Sequence, residues 1–400
     1  MSQPSHTPST LLVFMLALGA GIAVACIYYA QPILPLFGHD LTLSIHQIGL
    51  IPTLTQIGYA LGIFFLIPLG DRYDRRLLIL IKSILLVCAL LLFSMSHGIS
   101  NLLFFSLLIG VTATLAQDIV PAAAILAPAG HQGKYVGTVM TGLLLGILLS
   151  RTISGVISEW FGWRAMYQLA AMSVALVAIG LWKVLPHFQT YATLRYSALL
   201  SSMFKLWQRY PALRYAAIAQ GLLSIAFSAF WSTLAFMLAQ HYHLNSAIAG
   251  AFGIAGAAGA LAAPLAGSLS DRYGPHRVTQ MGAALVMLSF MLMFLLPLLS
   301  MKMQLVLIAI SAIGFDLGLQ ASLVAHQTLV YSLEPEARGR INGILFTIVF
   351  IGMASGSWLG SQVFALQGWN AVILLASVAG LISLLLRIMA GEQSRETDLT

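Results

Sequence analysis

Three ionisable residues lie in the middle of long apolar runs, where a charge is costly. They are Asp118 in "TLAQDIVPAAA", Arg151 in "GILLSRTISG" and Asp316 in "AIGFDLGLQASL". A charged side chain at the centre of a bilayer costs about 2.5–3.5 kcal/mol on insertion scales, so each residue is expected to have a partner or a function. The chemistry open to them is ion pairing, binding of a charged ligand and reversible protonation.

Asp118 and Arg151 form a candidate pair. Counted along their runs at 1.5 Å per residue, they lie at levels that differ by roughly 9 Å, a gap that an Arg side chain can largely close. Such a pair could be a structural salt bridge or part of a functional site. The sequence alone does not decide between these two alternatives.

Asp316 has no basic residue on its own run except His326, ten positions further on. Burial favours the neutral, protonated form of a carboxyl group. A carboxyl that releases its proton when water enters would suit proton coupling. The alternative is a neutral acid that is hydrogen-bonded to the carbonyl of a neighbouring helix.

Polar and aromatic side chains in other apolar runs are candidates for the wall of a binding cavity. Each is a weak signal alone, because lone aromatic residues more often pack in the core. The set is Tyr28, Gln31, Gln56, Gln220, Trp231, Gln320 and His326.

The composition indicates which elements must hold these residues. Only 8% of the residues are charged and 59% are hydrophobic, with a mean hydropathy of +0.92, whereas a soluble protein is about a quarter charged. Apolar runs of about 18 residues or more recur along the chain, as in proteins that cross a membrane many times. The runs are continuous and not alternating, which favours helices over a β-barrel. The sequence therefore predicts an all-α integral membrane protein.

We predict twelve transmembrane helices, named spans 1 to 12 in chain order. Their approximate limits are 10–30, 47–69, 77–96, 101–127, 135–158, 164–185, 211–239, 246–269, 278–298, 304–331, 341–366 and 370–389. The one long connection, 186–210, divides them into six plus six. This predicts an N-terminal six-helix bundle over 1–185 and a C-terminal one over 211–400.

The connection 186–210 has an amphipathic segment of its own. Leu199, Met203, Leu206 and Trp207 can share one helical face. This pattern predicts a helix that lies on the membrane surface. A partly ordered linker is the alternative.

The basic residues indicate how the chain sits in the membrane. If the N-terminus lies inside, sixteen of the nineteen Lys and Arg residues fall in inner segments, Lys82 and Arg387 among them, and only Arg164 and Lys302 fall outside. By the positive-inside rule both termini are then cytoplasmic, in a multi-pass protein of the inner membrane. The net charge of +7 is thus an orientation signal, and no nucleic acid is expected as a partner.

The two halves carry matching motifs. "DRY" at 71–73 and "DRY" at 271–273 both fall between the second and third spans of their half. "HQGKYVG" before span 5 matches "EARGRING" before span 11, and "FGWRA" after span 5 matches "QGWNA" after span 11. Three paired motifs in one order indicate a duplicated six-helix unit. Repeats of this kind build transporters whose site lies between the halves.

The loop motifs resemble those of the major facilitator superfamily, whose loop between spans 2 and 3 reads Gly-x-Leu-x-Asp-Arg-x-Gly-Arg-Lys/Arg. The second half matches at Gly267, Leu269, Asp271, Arg272 and Gly274. The first half keeps Leu69, Asp71, Arg72, Arg75 and Arg76 but has Ile67 and Asp74 at the two glycine positions. The resemblance implies two pseudo-symmetric six-helix bundles that expose a central site to each side in turn.

The resemblance also implies a latch that holds the inner side shut and breaks when the bundles tilt. An Asp at the inner end of span 2 can lie by the positive N-terminus of a neighbouring helix, while the basic residues can pair with the other bundle. The latch candidates are Asp71, Arg72, Arg75, Arg76, Gly267, Asp271, Arg272, Gly274, Arg338 and Arg340. For Arg75 and Arg76 a plain membrane anchor is an equal alternative.

Together these patterns predict a monomeric secondary transporter, most simply a proton-coupled antiporter that exports a small hydrophobic or weakly polar compound. Drug exporters of the superfamily usually have an Arg in span 4 and a Gly-Pro motif in span 5. Here Ser106 and Arg151 stand at these places, which weakens the comparison with multidrug exporters. A sugar or metabolite exporter or importer of the same fold is the alternative, and a non-transporting membrane sensor is a remote one.

Other functional classes find no support in the sequence. It has no nucleotide-binding Gly-x-x-x-x-Gly-Lys-[Ser/Thr] motif, so ATP is not expected to drive the protein. It also has no metal-ligand set such as His-Glu-x-x-His and no Ser/His or paired-Asp arrangement. We therefore expect neither an enzyme nor a bound metal or cofactor.

Overall fold

The computed structural model describes residues 8–128, 131–188, 195–256 and 266–399. These ranges are helical and contain no β-strand. Their long helices are Thr10–Ala25 (span 1), Leu50–Leu66 (span 2), Arg75–Ser94 (span 3), Ile99–Ala113 and Leu115–Leu126 (span 4), Gln132–Val184 (spans 5 and 6), Tyr196–Arg209, Pro211–Tyr242 (span 7), Pro275–Leu292 (span 9), Met301–Tyr331 (span 10), Arg338–Gln367 (span 11) and Trp369–Leu399 (span 12). Shorter α-helices are Leu34–Leu41, Ile45–Ile48, Leu69–Arg72 and Ser246–Ala251, and 3-10 helices are Gln31–Ile33, Phe252–Ile254, Met293–Leu298 and Pro335–Ala337.

In the described part, nine helices are long and apolar enough to cross a membrane, which confirms the all-α membrane architecture. One of them, Gln132–Val184, accounts for two predicted spans, because Gly162 interrupts it with non-helical φ and ψ angles. Thr10–Ala25 is a shorter apolar helix. The middle of span 8, residues 257–265, lies outside the described residues, so the total of twelve spans stays a prediction.

The same helix pairs recur in the two halves. Span 1 packs against span 5 and span 3 contacts span 6, just as span 7 packs against span 11 and span 9 against span 12. Contacts between span 2 and span 11, and between the start of span 8 and span 5, join the halves. Spans 2, 5, 8 and 11 therefore contact helices of both halves. The division of the chain into two bundles at 186–210 stays a prediction.

A single glycine turn follows span 5 and another follows span 11. Gly162 has φ 82° and ψ 157°, and Gly368 has φ 77° and ψ −165°. A side chain at positive φ is strained, which is why glycine is required at both places. These are the glycines of the matching "GW" motifs, so the repeated letters correspond to a repeated backbone conformation.

Glycines also let spans approach closely. A Cβ on Gly110 of span 4 would lie 2.8 Å from the backbone nitrogen of Tyr59 in span 2. Across the halves, a Cβ on Gly250 of span 8 would lie 3.2 Å from the Cα of Gly155 in span 5. Small residues at such crossings permit backbone-to-backbone packing in a membrane, where no hydrophobic effect drives the helices together.

The connection between the halves contains the helix Tyr196–Arg209, while residues 189–194 lie outside the described residues. Leu199, Met203 and Leu206, three of the residues predicted to share a face, are buried. Met203 and Leu206 belong to an apolar cluster that includes Leu213 of span 7 and Ile341 of span 11. This helix packs its apolar face against the protein itself, and its position on the membrane surface stays a prediction.

At the predicted outer end of the first half, Asp40 is held by residues that follow span 5. Its Oδ2 accepts a hydrogen bond from Nε1 of Trp163 at 3.0 Å and forms an ion pair with Arg164. The Arg164 hydrogen bond, then the Trp163 one, hold the pKa of Asp40 below its usual value of 3.8, against a smaller opposing effect of desolvation. The contact fixes the loop between spans 1 and 2 to the start of span 6.

Replacing Asp40 by Asn is expected to lower the thermal midpoint by on the order of 1–2 °C at neutral pH, because the pair is partly solvated. The folded pKa lies below the unfolded one, so the contribution is complete above pH 3.8 and is lost as the pH falls through the folded pKa. Thermal scans of purified wild type and variant check this. A midpoint difference that does not shrink as the pH falls below 3.8 contradicts it.

Candidate functional site

A cavity of about 160 Å³ lies between the halves. Spans 1, 2, 4 and 5 form one wall and spans 7, 10 and 11 the other, with Gly256 of span 8 between them. The polar residues of the wall are Tyr28, Tyr59, Gln117, Arg151, Gln220, Ser224, Asp316 and Gln320. The rest is apolar and includes Phe227, Phe346 and Phe350. Five of the predicted substrate or proton candidates thus share one cavity.

Arg151 is a buried cation held by one hydrogen bond and three aromatic rings. Its Nε donates to Oε1 of Gln31 at 2.7 Å. The guanidinium carbon lies 4.2 Å from the ring centre of Trp231, 4.8 Å from that of Tyr28 and 5.4 Å from that of Phe227. Such contacts stabilise a desolvated cation by about 2 kcal/mol. Among the described residues no carboxylate lies within 4.0 Å of the guanidinium, and Nη2 has no hydrogen-bond partner.

Asp316 lines the same cavity from span 10 and is 4% exposed. Its Oδ1 finds no hydrogen-bond partner in the described part of the chain. The indole of Trp231 lies beside the carboxyl, and Arg151 is near enough to act on it electrostatically without forming an ion pair. The structure therefore brings Arg151 and Asp316 together in one site, although they are far apart in the sequence.

The predicted pair of Asp118 with Arg151 is wrong. Oδ2 of Asp118 accepts a hydrogen bond from Nζ of Lys82 in span 3 at 2.6 Å, and both side chains are buried. Neighbouring residues of an α-helix are about 100° apart around its axis, so Gln117 lines the cavity while Asp118 is directed to span 3. The prediction compared only the levels of Asp118 and Arg151 along their spans, which does not show the direction in which a side chain points.

Two cations predicted at the inner surface are in fact buried. Lys82 is 4% exposed and forms the pair just described. Arg387 is 2% exposed, and its Nε donates to Oγ1 of Thr279 at 3.0 Å. Both lie on long apolar helices. The positive-inside count had assigned them to the segments at the inner surface.

Gln220 links the cavity to a buried histidine. Nδ1 of His326 lies 2.9 Å from Oε1 of Gln220, while Nε2 of Gln220 donates to the carbonyl of Leu319 at 3.2 Å. Gln220 and Gln320 line the cavity, whereas His326 lies behind it. His326 is therefore placed to orient Gln220 and not to touch a ligand in this conformation.

A buried polar network joins the two halves beside the cavity. Nε2 of Gln56 in span 2 donates to Oγ of Ser228 in span 7 at 3.0 Å, and Oγ of Ser357 in span 11 donates to Oε1 of Gln56 at 3.0 Å. Ser357 also lies 2.8 Å from Ser228 and 2.7 Å from Ser232. All four side chains are fully buried. Gln56 thus contacts the other half and does not line the cavity.

The halves also meet at the predicted outer end. Nδ1 of His46 lies 2.6 Å from Oε1 of Gln362, and the backbone N–H of Ser246 donates to Oε2 of Glu159 at 3.1 Å. Each contact joins a residue of the first half to one of the second. These contacts close the cavity on its outer side.

At the predicted inner end, space remains beside the start of span 5 and the inner end of span 8. A Cβ built on Gly133, Gly137 or Gly267 meets no described atom within 4 Å. The halves are in contact at the outer end, and at the inner end Phe64 of span 2 packs against the apolar cluster that includes Met203 and Ile341.

In the first half, the predicted latch residues contact their own surroundings. Nη2 of Arg75 donates to Oδ1 of Asp71 at 3.0 Å, Nη2 of Arg76 donates to the carbonyl of Trp182 at 2.6 Å, and the Arg72 guanidinium lies 5.7 Å from the centre of the neighbouring Tyr73 ring. None of these contacts crosses to the second half.

The latch residues of the second half also contact their own half. Arg272 lies 5.2 Å from the centre of the Tyr273 ring, Gly274 has φ 83°, and Nε of Arg338 donates to the carbonyl of Tyr331 at 3.2 Å. Asp271 is exposed and Arg340 is half-buried. None of the contacts named here crosses to the first half, so the latch stays a prediction.

Some residues of the site were missed from the sequence. Lys82 carried the same signal as Asp118, a charge inside the apolar run "LLILIKSILLV". Gln117 stood next to Asp118 and was overlooked. Ser228 and Ser357 gave no signal, because single serines are common in membrane helices and only the packing brings them together.

Comparisons with known proteins cover nearly the whole chain. A family model described as Major Facilitator Superfamily matches residues 16–332. The chain is 36% identical over 386 residues to the "Uncharacterized transporter YgaY" of Escherichia coli, covering 96% of this chain and 97% of that protein. It is 25% identical over 394 residues to the "Multidrug resistance protein MdtG" of Yersinia enterocolitica, covering 93% and 91% of the two chains.

A solved structure has a similar fold. It is the crystal structure of a bacterial homologue of the human lysosomal transporter Spinster, in an inward-facing and unoccupied conformation. The TM-score is 0.73 at 16% sequence identity, with 95% of this chain and 94% of the other covered.

Proposed function

This chain belongs to the Major Facilitator Superfamily of membrane transporters, and we propose that it carries out proton-coupled efflux of a small hydrophobic or weakly polar organic compound. It is a multi-pass membrane protein that takes a small-molecule substrate and is not an enzyme. In the proposed cycle the two halves tilt about the central cavity and expose it to one side at a time.

The observation that carries the proton coupling is Asp316. Its carboxyl lies in the cavity between the halves with Oδ1 unpartnered among the described residues. Opening the cavity to water stabilises a charged carboxylate, and closing it favours the protonated acid. Asp316 therefore has a reason to change its protonation state with each half-cycle, whereas the Asp118 carboxylate is held by Lys82.

The choice of substrate class rests on the cavity wall. It is mostly apolar and contains the three rings of Phe227, Phe346 and Phe350, which suits a compound with an apolar body. Efflux is supported by the relationship to a multidrug resistance protein. We further propose that the protein works as a monomer in the inner membrane with both termini in the cytoplasm, in line with the distribution of its Lys and Arg residues.

Two forms of coupling fit the proposal. In antiport the compound leaves as a proton enters, and in joint transport both leave together. The direction of proton movement in one vesicle experiment separates them.

Asp316→Asn is expected to abolish proton movement linked to the substrate, because an amide cannot exchange a proton. Everted membrane vesicles carrying the protein are energised, a lumenal pH dye is read, and a panel of one-ring and two-ring organic compounds is added. Wild type should change the lumenal pH with at least one compound, and Asp316→Asn should fall to the level of vesicles without the protein.

Asp40→Asn is the matched control, since Asp40 is a carboxylate outside the cavity. Its vesicles should respond like wild type. An unchanged response in Asp316→Asn would remove this residue from the coupling role, and the absence of any response in wild type would overturn proton coupling itself.

A further inference from the structure

We propose that the ligand of the central cavity is a small organic anion with an apolar body, and that Arg151 binds its anionic head. The inference deepens the proposed function, because it rests on the cavity being the substrate site. It names the charge of the substrate, which proton-coupled efflux alone leaves open.

The charge of the site is the first argument. Arg151 remains protonated under all ordinary conditions, yet no described carboxylate lies within 4.0 Å of it. Among the described residues that line the cavity Asp316 is the one acid, and it acts on Arg151 through space without an ion pair. A second buried carboxylate, Asp118, is already paired with Lys82 and does not line the cavity. A buried cation that no described carboxylate contacts directly is costly, and a bound anion would reduce that cost.

The hydrogen bonding of the guanidinium is the second argument. Nε is used by Gln31, but Nη2 is buried without a partner in the described part of the chain. The rings of Trp231, Tyr28 and Phe227 present their faces to the cation and offer no lone pair to an N–H group. A carboxylate offers lone pairs in the plane of the guanidinium and matches its geometry better than an amide or a hydroxyl does.

The size of the cavity is the third argument. A volume of about 160 Å³ is close to that of an engineered apolar cavity, about 150 Å³, which takes up benzene. The wall offers aromatic side chains such as Phe227 and Phe350 to a ring. A one-ring carboxylate therefore fits both the charge of Arg151 and the space beside it. A cation of the same size would be repelled by the Arg151 guanidinium.

Three probes that share a one-ring body test the proposal. Phenylacetate is an anion, phenylacetamide is neutral and phenethylamine is a cation at neutral pH. Binding to the purified full-length protein is measured by the quenching of tryptophan fluorescence and, independently, by the thermal midpoint. Phenylacetate should bind at least about tenfold more tightly than either of the others, as expected of a charge-assisted hydrogen bond.

Arg151→Gln should abolish this preference, while Arg151→Lys, which keeps the charge, should retain part of it. Arg164→Gln is the matched control, because Arg164 also lies on an aromatic ring but at the predicted outer end; its preference should equal that of wild type. The proposal is overturned if the amide or the amine binds wild type as tightly as phenylacetate, a result that requires no variant to fold. Such a result leaves the vesicle experiment on Asp316 untouched, so the two proposals fail separately.

Discussion

Replacing Lys82 by Met is expected to destabilise the folded protein by about 3–5 kcal/mol, the largest effect that we predict for one substitution. The Lys82 ammonium and the Asp118 carboxylate lie 2.6 Å apart and are both buried. Without the cation, an uncompensated carboxylate remains in an apolar interior, where its Oδ1 already finds no partner among the described residues. We expect little monodisperse protein after detergent extraction, and a strongly reduced thermal midpoint for what remains.

A double variant distinguishes the loss of a pair from the loss of packing. Lys82→Met combined with Asp118→Leu removes both charges and should recover most of the stability, because apolar replacement of a buried ion pair is often neutral or stabilising. Lys134→Met is the matched control at an exposed lysine and should behave like wild type. If Lys82→Met is as stable as this control, the pair does not stabilise the fold. Normal transport by the double variant would also remove Asp118 from the proton candidates.

Replacing Gly250 by Leu is expected to reduce transport by about tenfold or more while the protein still folds. Gly250 packs against Gly155 where span 8 crosses span 5, and Oγ1 of Thr152 donates to its carbonyl at 3.0 Å. A larger side chain there would cost about 1–3 kcal/mol by overpacking, and tenfold in population corresponds to 1.4 kcal/mol. This crossing joins the two halves at the outer end, so the cost applies only while that end is closed. Fewer molecules should therefore occupy the outer-closed state.

The shift can be read from a buried thiol. Ser361 is fully buried, and a Cβ on Gly49 of the other half would collide with it. Ser361→Cys, in a background with Cys26 and Cys88 replaced by Ser, should react faster with a membrane-impermeant maleimide when Gly250→Leu is added. Gly98→Leu is the control, since nothing described lies within 4 Å of its Cβ position. Wild-type transport and labelling in Gly250→Leu would show that this crossing does not govern closure.

The elements of this fold could be predicted because lipid restricts the backbone so strongly. A long apolar run has few alternatives to a helix when every N–H and C=O must be paired inside the segment. The matching "GW" motifs indicated the repeat, whereas the turns at Gly162 and Gly368 were not predicted and became clear only from the structure. The run lengths did not reveal that span 4 consists of two helices that meet at Thr114.

The site could be predicted only in part, because apolar helices do not show which face is turned inward. In a soluble helix the polar face marks the outside, but here lipid and neighbouring helices select similar side chains. Arg151 and Asp316 were recognised by the cost of burying them, which does not depend on direction. That they share a cavity, and that Asp118 pairs with Lys82 and not with Arg151, depends on which way each helix face points. These directions became clear only from the packing.

The cross-half network was beyond reach of the sequence for a different reason. Gln56 and Ser357 lie about 300 residues apart in the chain and meet at 3.0 Å. Gln56 was expected to line the cavity and Ser357 gave no signal, because neither carries a charge that would require a partner. Contacts of this kind depend on how the two halves meet, and the packing of each half alone does not determine that.

The one-residue turns at Gly162 and Gly368 have a consequence for the surrounding lipid. With a single non-helical residue between span 5 and span 6, and one more between span 11 and span 12, neither connection has slack. Spans 5 and 11 line the cavity. When either of them tilts, the span joined to it, span 6 or span 12, must move with it and displace the acyl chains that it touches. The speed of the cycle should therefore follow membrane viscosity, and saturated, tightly ordered bilayers should slow it even when the substrate and the proton gradient are unchanged.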